Sequence, residues 1–146
     1  MSRTLSDFLH AGGYTLALEN LGRRVGFTGR GVADLRRLLR EEPDLLRGAN
    51  VADKVVGKGA AALMLLGGVA RLHADVISRS ALRLFEIQTE RPEVSYDTLT
   101  DGIRNRRGDG PCPVEALCAG TDDLKECYTL ISEFIDRQHD TSNPTT

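Results

Sequence analysis

The stretch that decides the fold runs from Asp53 to Leu66 and reads DKVVGKGAAALMLL. Its second half, from Ala60 onward, is apolar on every side of a helix, and a helix of that kind is buried rather than amphipathic. Asp53 is a good N-cap residue. The sequence therefore predicts one buried helix over 53–66, which the glycine pair Gly67 and Gly68 ends.

On both sides of this helix, strand patterns alternate with helix patterns. The predicted helices cover 4–11, 32–42, 53–66, 78–87, 113–119 and 122–139, and the predicted strands cover 14–20, 23–27 and 69–77. The short connection between the first two strands predicts an antiparallel hairpin. Residues 92–95 form a predicted break, and 96–105 is ambiguous between a strand and a short helix. This alternation favours an α/β sheet with helices packed on both faces.

Length and composition indicate one ordinary globular domain. The chain has 146 residues, of which 40% are hydrophobic and 27% charged. A chain of about this length buries roughly 68–70% of its unfolded surface, which is enough for a core. We predict a single domain over 1–139 and a flexible polar tail over 140–146. The net charge of −2 argues against non-specific nucleic-acid binding, which needs an excess of Lys and Arg.

The sequence also predicts a cytoplasmic location. The N-terminal residues lack the apolar core of a signal peptide. The longest apolar run, 59–70, is shorter than the roughly 20 residues that span a bilayer. Three cysteines without a close pair favour free thiols over a disulfide framework or a structural zinc site.

The start of the predicted central helix breaks local rules. Lys54 and Lys58 would share one helix face, repel each other and oppose the positive end of the helix dipole. Gly57 and Gly59 beside them are unfavourable within a helix. This pattern is typical of an anion site, where exposed backbone N–H groups and two ammonium groups hold a ligand. The alternative is that both lysines reach water or pair with acidic side chains.

A second unusual helix start is Pro111-Cys-Pro-Val-Glu115. Pro113 suits the first helical position, so Cys112 falls at the N-cap, where the helix dipole favours a thiolate. Glu115 at the third position could reach back to the Cys112 N–H, as in a capping box. The alternative is that Glu115 only caps the helix and Cys112 is a small buried residue. Cys118 and Cys127 fall at apolar helix positions and are predicted to be core residues.

The three histidines, His10, His73 and His139, are scattered, and no H-x-x-x-H or H-x-E pattern contains them. We therefore predict structural roles for them and no metal site.

The order of these elements, with a Pro-Cys pair at a late helix start, resembles the cytidine deaminase-like fold. In zinc-dependent deaminases an H-x-E segment and a P-C-x-x-C segment hold the metal. Here the segment 53–58 lacks the His, and Glu115 stands where the second Cys belongs. The stretches 52–61, 74–78 and 105–115 are similar to the uncharacterised family called domain of unknown function 1893.

This resemblance implies a three-layer α/β/α sandwich with a mixed sheet. It also implies that the two unusual helix starts face each other across one pocket. Because catalytic zinc normally keeps three protein ligands, the loss of two of them makes zinc and classical deamination unexpected.

Three functions compete. The first is a zinc-free deaminase-like domain that binds a small anionic metabolite, such as a nucleotide. The second is an enzyme that uses the Cys112 thiol as nucleophile and Glu115 for proton transfer. The third is a ligand-free interaction module, and a homo-oligomer is compatible with each. The ligand-binding residues in the first function are Asp53, Lys54, Gly57, Lys58, Asn105 and Arg106.

Overall fold

The computed structural model describes residues 4–29, 32–103 and 112–142, the last four of these by their backbone alone. The helices are α1 (Leu5–Ala11), α2 (Ala33–Glu41), α3 (Pro43–Leu46), α4 (Lys58–Gly67), α5 (Arg79–Glu86), α6 (Pro113–Cys118) and α7 (Leu124–Ser142). The strands are β1 (Leu16–Asn20), β2 (Arg23–Phe27), β3 (Asn50–Val56), β4 (Arg71–Ser78) and β5 (Glu93–Thr100).

The five strands form one mixed sheet in the order β2-β1-β3-β4-β5. β1 is antiparallel to both of its neighbours, with Leu18 opposite Val25 on β2 and opposite Val51 on β3. β3, β4 and β5 are parallel. Parallel neighbours need a crossover connection, and α4 and α5 supply the two crossovers. The predicted α/β class and the hairpin are confirmed.

The stretch 53–66 is a strand followed by a helix, so the prediction of one helix with Asp53 as N-cap is wrong. β3 ends at Val56, Gly57 is the N-cap, and α4 begins at Lys58. β-branched residues such as Val51 and Val56 favour a strand here, and pairing with β1 and β4 on both sides fixes it. The predicted burial of the apolar half is confirmed for residues 60–64, whereas Leu65 and Leu66 are partly buried. α4 ends at Gly67, and its C-cap is Gly68, whose φ of 74° suits glycine.

Two hydrophobic clusters form on opposite faces of the sheet. Leu16 and Leu18 of β1 belong to the main cluster with α2, α4, α5 and α7, whereas Ala17 packs with Leu9 of α1 and Ala52 of β3. Because successive side chains of a strand point to opposite faces, α1 lies on one face and the main core on the other.

The C-terminal third differs from the prediction in two places. β5 begins at Glu93, within the predicted break, and its parallel pairing with β4 settles 96–100 as strand. α7 begins at Leu124 rather than at 122, because Asp123 Oδ1 accepts the N–H groups of Lys125 and Glu126 and so caps the helix. Cys127, a predicted core residue, and Ile131 are fully buried.

Among the described residues, none of the helices combines the length and the apolarity needed to cross a bilayer.

Candidate functional site

A partly buried junction at the N-terminus of α4 holds the carboxylate of Glu115, which lies in the first turn of α6. Glu115 Oε2 accepts the backbone N–H of Lys58 at 2.5 Å, and Oε1 accepts the Ser80 hydroxyl at 2.8 Å. The first N–H groups of a helix have no partner within the helix. The carboxylate therefore occupies the place where the α4 dipole and an open N–H group favour an anion.

The N-terminus of α5 meets the same carboxylate. Ser78 is the N-cap of α5 and accepts the Ala81 N–H at 3.1 Å, and its hydroxyl lies 3.1 Å from that of Ser80. α4 follows β3 and α5 follows β4, so both helix starts lie at the carboxyl ends of neighbouring parallel strands. Ligands of open α/β sheets bind at this edge.

Gly57 makes room for the Glu115 carboxylate. Its backbone is extended, with φ −98° and ψ −178°, so any residue could adopt it. A Cβ atom at this position, however, would lie 2.5 Å from Glu115 Oε2 and 3.3 Å from Ile103 Cγ1. The glycine is required by close approach rather than by its backbone angles.

We expect Gly57→Ala and Glu115→Ala to be strongly non-additive in a double-mutant cycle. Gly57→Ala alone should destabilise by about 1–3 kcal/mol, because the new methyl group displaces the carboxylate. In Glu115→Ala the carboxylate is absent, so the methyl group added at position 57 has less steric conflict. The coupling energy between the two substitutions should therefore reach about 1 kcal/mol or more. Urea unfolding of the four proteins measures it.

Gly68→Ala is the matched control for this cycle. Its cost arises from the left-handed backbone at Gly68, which no atom of Glu115 contacts. Gly68→Ala and Glu115→Ala should therefore add. Additive costs for Gly57→Ala and Glu115→Ala would contradict the packing described here.

Cys112 is the N-cap of α6 and Pro113 its first residue, as predicted. The predicted capping box is wrong, because the Cys112 N–H donates to the Ile103 carbonyl at 2.8 Å and Glu115 turns to Lys58 instead. Cys112 is partly exposed, whereas Cys118 and Cys127 are buried. Burial raises the pKa of Cys118 to about 12 and also raises that of Cys127, so both thiols are neutral.

The Lys58 ammonium group is buried and paired. Its side chain is 5% exposed, and Nζ lies 2.9 Å from Asp122 Oδ1. Arg83 contacts the same carboxylate at 3.1 Å. Hydrogen bonds from Lys58 and Arg83 hold the pKa of Asp122 below its usual value. Pairing with an acidic side chain is the alternative that the sequence leaves open for Lys58.

Lys54 lies elsewhere, so the predicted shared helix face of Lys54 and Lys58 is wrong. Lys54 belongs to β3, where its N–H donates to the Thr15 carbonyl at 3.2 Å. Alternation along the strand places its side chain on the face of Ala52, the face that α1 covers.

Asp53 is buried, and alternation along β3 places it on the face opposite Lys54. Its Oδ1 accepts the Val55 N–H at 3.3 Å. Burial raises the pKa of Asp53 to about 7, and the neighbouring charge of Asp75 adds to the increase. The remaining predicted ligand residues, Asn105 and Arg106, lie outside the described residues.

Within the described residues, Asp53, Cys112 and Glu115, which stand near the deaminase ligand positions, do not form a group that could share a metal ion. In the described part of the chain, the side chains that could share a metal ion are His73, Asp75 and Asp97.

The sequence alone does not predict the group formed by His73, Asp75 and Asp97. His73 and Asp75 alternate along β4, and Asp97 alternates with Ser95 along β5. Polar residues two apart in each segment indicate side chains on one face of a strand. The sequence does not assign this pattern to a strand in the second segment, because 92–95 is predicted as a break and 96–105 is ambiguous.

A family model and a solved structure both show similarity to the DUF1893 family. A family model described as TM1506, domain of unknown function (DUF1893), matches residues 4–135. The crystal structure of a DUF1893 family protein, TM1506 from Thermotoga maritima, is similar to this chain at 28% sequence identity and a TM-score of 0.78. The match covers 87% of this chain and 84% of that one. No curated protein matches the sequence.

Proposed function

The chain belongs to the DUF1893 family, and from this premise we propose that it is a zinc-free, cytidine deaminase-like domain that binds a small anionic metabolite. In this proposal α1 and the remaining helices form the outer layers of a three-layer α/β/α sandwich. The ligand binds where α4, α5 and α6 begin, and the protein is cytoplasmic.

The observation that carries the proposal is the Glu115 carboxylate held by the Lys58 N–H and the Ser80 hydroxyl. These donors form a site whose shape and charge suit a carboxylate or a phosphate oxygen. Glu115 occupies it as an internal anion. We propose that the ligand's anionic group binds by replacing Glu115 on these two donors.

The Lys58 ammonium group, on the residue whose N–H holds Glu115, adds positive charge near the site. It shares the single carboxylate of Asp122 with Arg83, which lies in the last turn of α5. A phosphate group carries more charge than the Glu115 carboxylate and offers more acceptor oxygens. In this proposal the Glu115 side chain rotates away from both donors while α6 stays in place.

A nucleotide is the ligand that the deaminase likeness favours. A shared fold does not dictate a shared ligand, so this preference is an analogy. The anion site stands on the contacts of Glu115 whether the rest of the ligand is a nucleoside or another small group.

We expect binding to perturb the backbone amides of Gly57, Lys58 and Ser80 more than those of other residues. The measurement is a titration followed by ¹H–¹⁵N NMR, with inorganic phosphate, nucleoside monophosphates and nucleoside triphosphates added to the full chain. Amide shifts report the loss of the Glu115 contact directly, because the Lys58 N–H donates to it.

Lys54→Ala is the matched control for the titration. Its side chain lies on the face covered by α1, so the variant should bind with unchanged affinity. A ligand that shifts amides far from α4 and α5 would disprove the location of the site. If every tested anion left the spectrum unchanged, the third function, an interaction module without a ligand, would be favoured.

A thiol-dependent enzyme is the second candidate, because Cys112 is partly exposed, unlike the two buried thiols, and caps the helix that carries Glu115. The two functions differ in one outcome. A binding domain keeps its ligand affinity in Cys112→Ser, whereas a thiol enzyme loses its turnover.

A further inference from the structure

A cluster of metal-ligand side chains lies on the face of the sheet opposite the Glu115 site. One ligand atom from each of His73, Asp75 and Asp97 lies within 4.8 Å of the others. His73 and Asp75 project from β4 on the side away from Leu72 and Ala74, which belong to the main core. The parallel pairing of β4 and β5 brings Asp97 beside them.

The His73 ring is held in an orientation suited to metal binding. Its Nδ1 lies 2.8 Å from Ser95 Oγ, and its Nε2 lies 3.3 Å from Asp97 Oδ1. In the tautomer that carries its proton on Nδ1, this N–H donates to Ser95 and the Nε2 lone pair faces Asp97. Metal-binding histidines are oriented by this kind of hydrogen bond from the other ring nitrogen.

Asp75 has one oxygen engaged and one without a partner. Its Oδ2 lies 2.6 Å from His10 Nε2, at the end of α1. Its Oδ1 is buried and has no hydrogen-bond partner. A buried oxygen without a partner is costly, and a bound cation would satisfy it. This observation is independent of the clustering of the three side chains.

We propose that His73 Nε2, Asp75 and Asp97 bind a single divalent first-row transition-metal ion, such as Mn²⁺ or Zn²⁺. The imidazole nitrogen suits Zn²⁺ and the two carboxylates suit Mn²⁺, whereas Mg²⁺ and Ca²⁺ prefer oxygen ligands alone. His10 and Ser95 orient Asp75 and His73. Three protein ligands leave at least one coordination position open for water or a substrate group.

The test is calorimetric titration of the EDTA-treated full chain with Mn²⁺, with Zn²⁺ and with Mg²⁺. We expect one ion per chain for Mn²⁺ and Zn²⁺ and weaker binding of Mg²⁺. Asp97→Asn should weaken Mn²⁺ binding by about 100-fold or more, beyond the roughly 10–100-fold typical of outer-shell changes such as Ser95→Ala. Asp97 is exposed, so its variant is expected to fold, and circular dichroism checks this.

Two controls separate this site from others. Glu93→Gln changes another exposed acid of β5 and should leave binding unchanged. Cys112→Ser should also leave it unchanged, which excludes zinc capture by the thiol. A chain that binds neither Mn²⁺ nor Zn²⁺, or one whose binding survives Asp97→Asn and is lost in Cys112→Ser, would overturn the proposal.

Discussion

Asp53→Asn is expected to stabilise the protein at pH 8 by roughly 1–3 kcal/mol, because it removes a buried ionisable carboxyl group. Burial raises the pKa of Asp53 from 3.8 to about 7. A difference of this size corresponds to about 4 kcal/mol against the folded state once the group is ionised. The unpaired amide N–H groups of Asn offset part of the gain.

The sign of the pH dependence follows from the direction of the shift. Below pH 4 Asp53 is protonated in both the folded and the unfolded chain, so it contributes no difference. Between pH 4 and pH 7 the unfolded chain loses the proton first, and the folded state becomes progressively less stable. The stabilisation by Asp53→Asn should therefore grow through this window and stay constant above pH 7.

Urea unfolding of both proteins between pH 4 and pH 8 measures the effect, and the difference between them isolates Asp53 from the other carboxyl groups. Asp44→Asn serves as the control, since Asp44 is exposed on α3. A difference between Asp53→Asn and the unmodified chain that stayed the same from pH 4 to pH 8 would contradict an elevated pKa.

Glu115→Ala is expected to destabilise the protein by about 2–3 kcal/mol. The Lys58 N–H loses a charged acceptor, and a buried donor without a partner costs about 1–3 kcal/mol. The Ser80 hydroxyl loses its acceptor as well. Glu115→Gln keeps one acceptor oxygen and should cost less than the alanine variant.

Urea unfolding at pH 7 measures this loss as well, and Glu133→Ala is the control because Glu133 is exposed on α7. The control should change stability by less than about 0.5 kcal/mol. An equally small effect of Glu115→Ala would show that the carboxylate does not hold α4 and α5 together.

Local patterns in the sequence were sufficient to predict most elements of the fold. The Leu21-Gly22 turn, the Gly68 helix end and the burial of the apolar run in α4 each follow from neighbouring residues. The sequence does not predict β3, because Asp53 and Lys54 interrupt its apolar pattern. In addition, Gly57, which lies between β3 and α4, is predicted as part of a helix. Pairing with β1 and β4 outweighs these local signals.

The candidate site depended on contacts that no local pattern contains. Lys58 and Glu115 are 57 residues apart in the chain, so their hydrogen bond could not be predicted from spacing. Cys112 and Pro113 were placed correctly as a helix start because capping is local. The predicted partner of Glu115 is wrong, because a capping box involves only residues of its own helix.

The affinity of Glu115→Ala for inorganic phosphate, compared with that of the unmodified chain by calorimetry at one pH, tests the exchange of Glu115 for a ligand most directly. If the carboxylate competes for the Lys58 N–H and the Ser80 hydroxyl, the variant should bind phosphate about tenfold more tightly, which corresponds to about 1.4 kcal/mol. Phosphate should then also restore much of the stability that the variant loses. An affinity equal to or weaker than that of the unmodified chain would contradict the account.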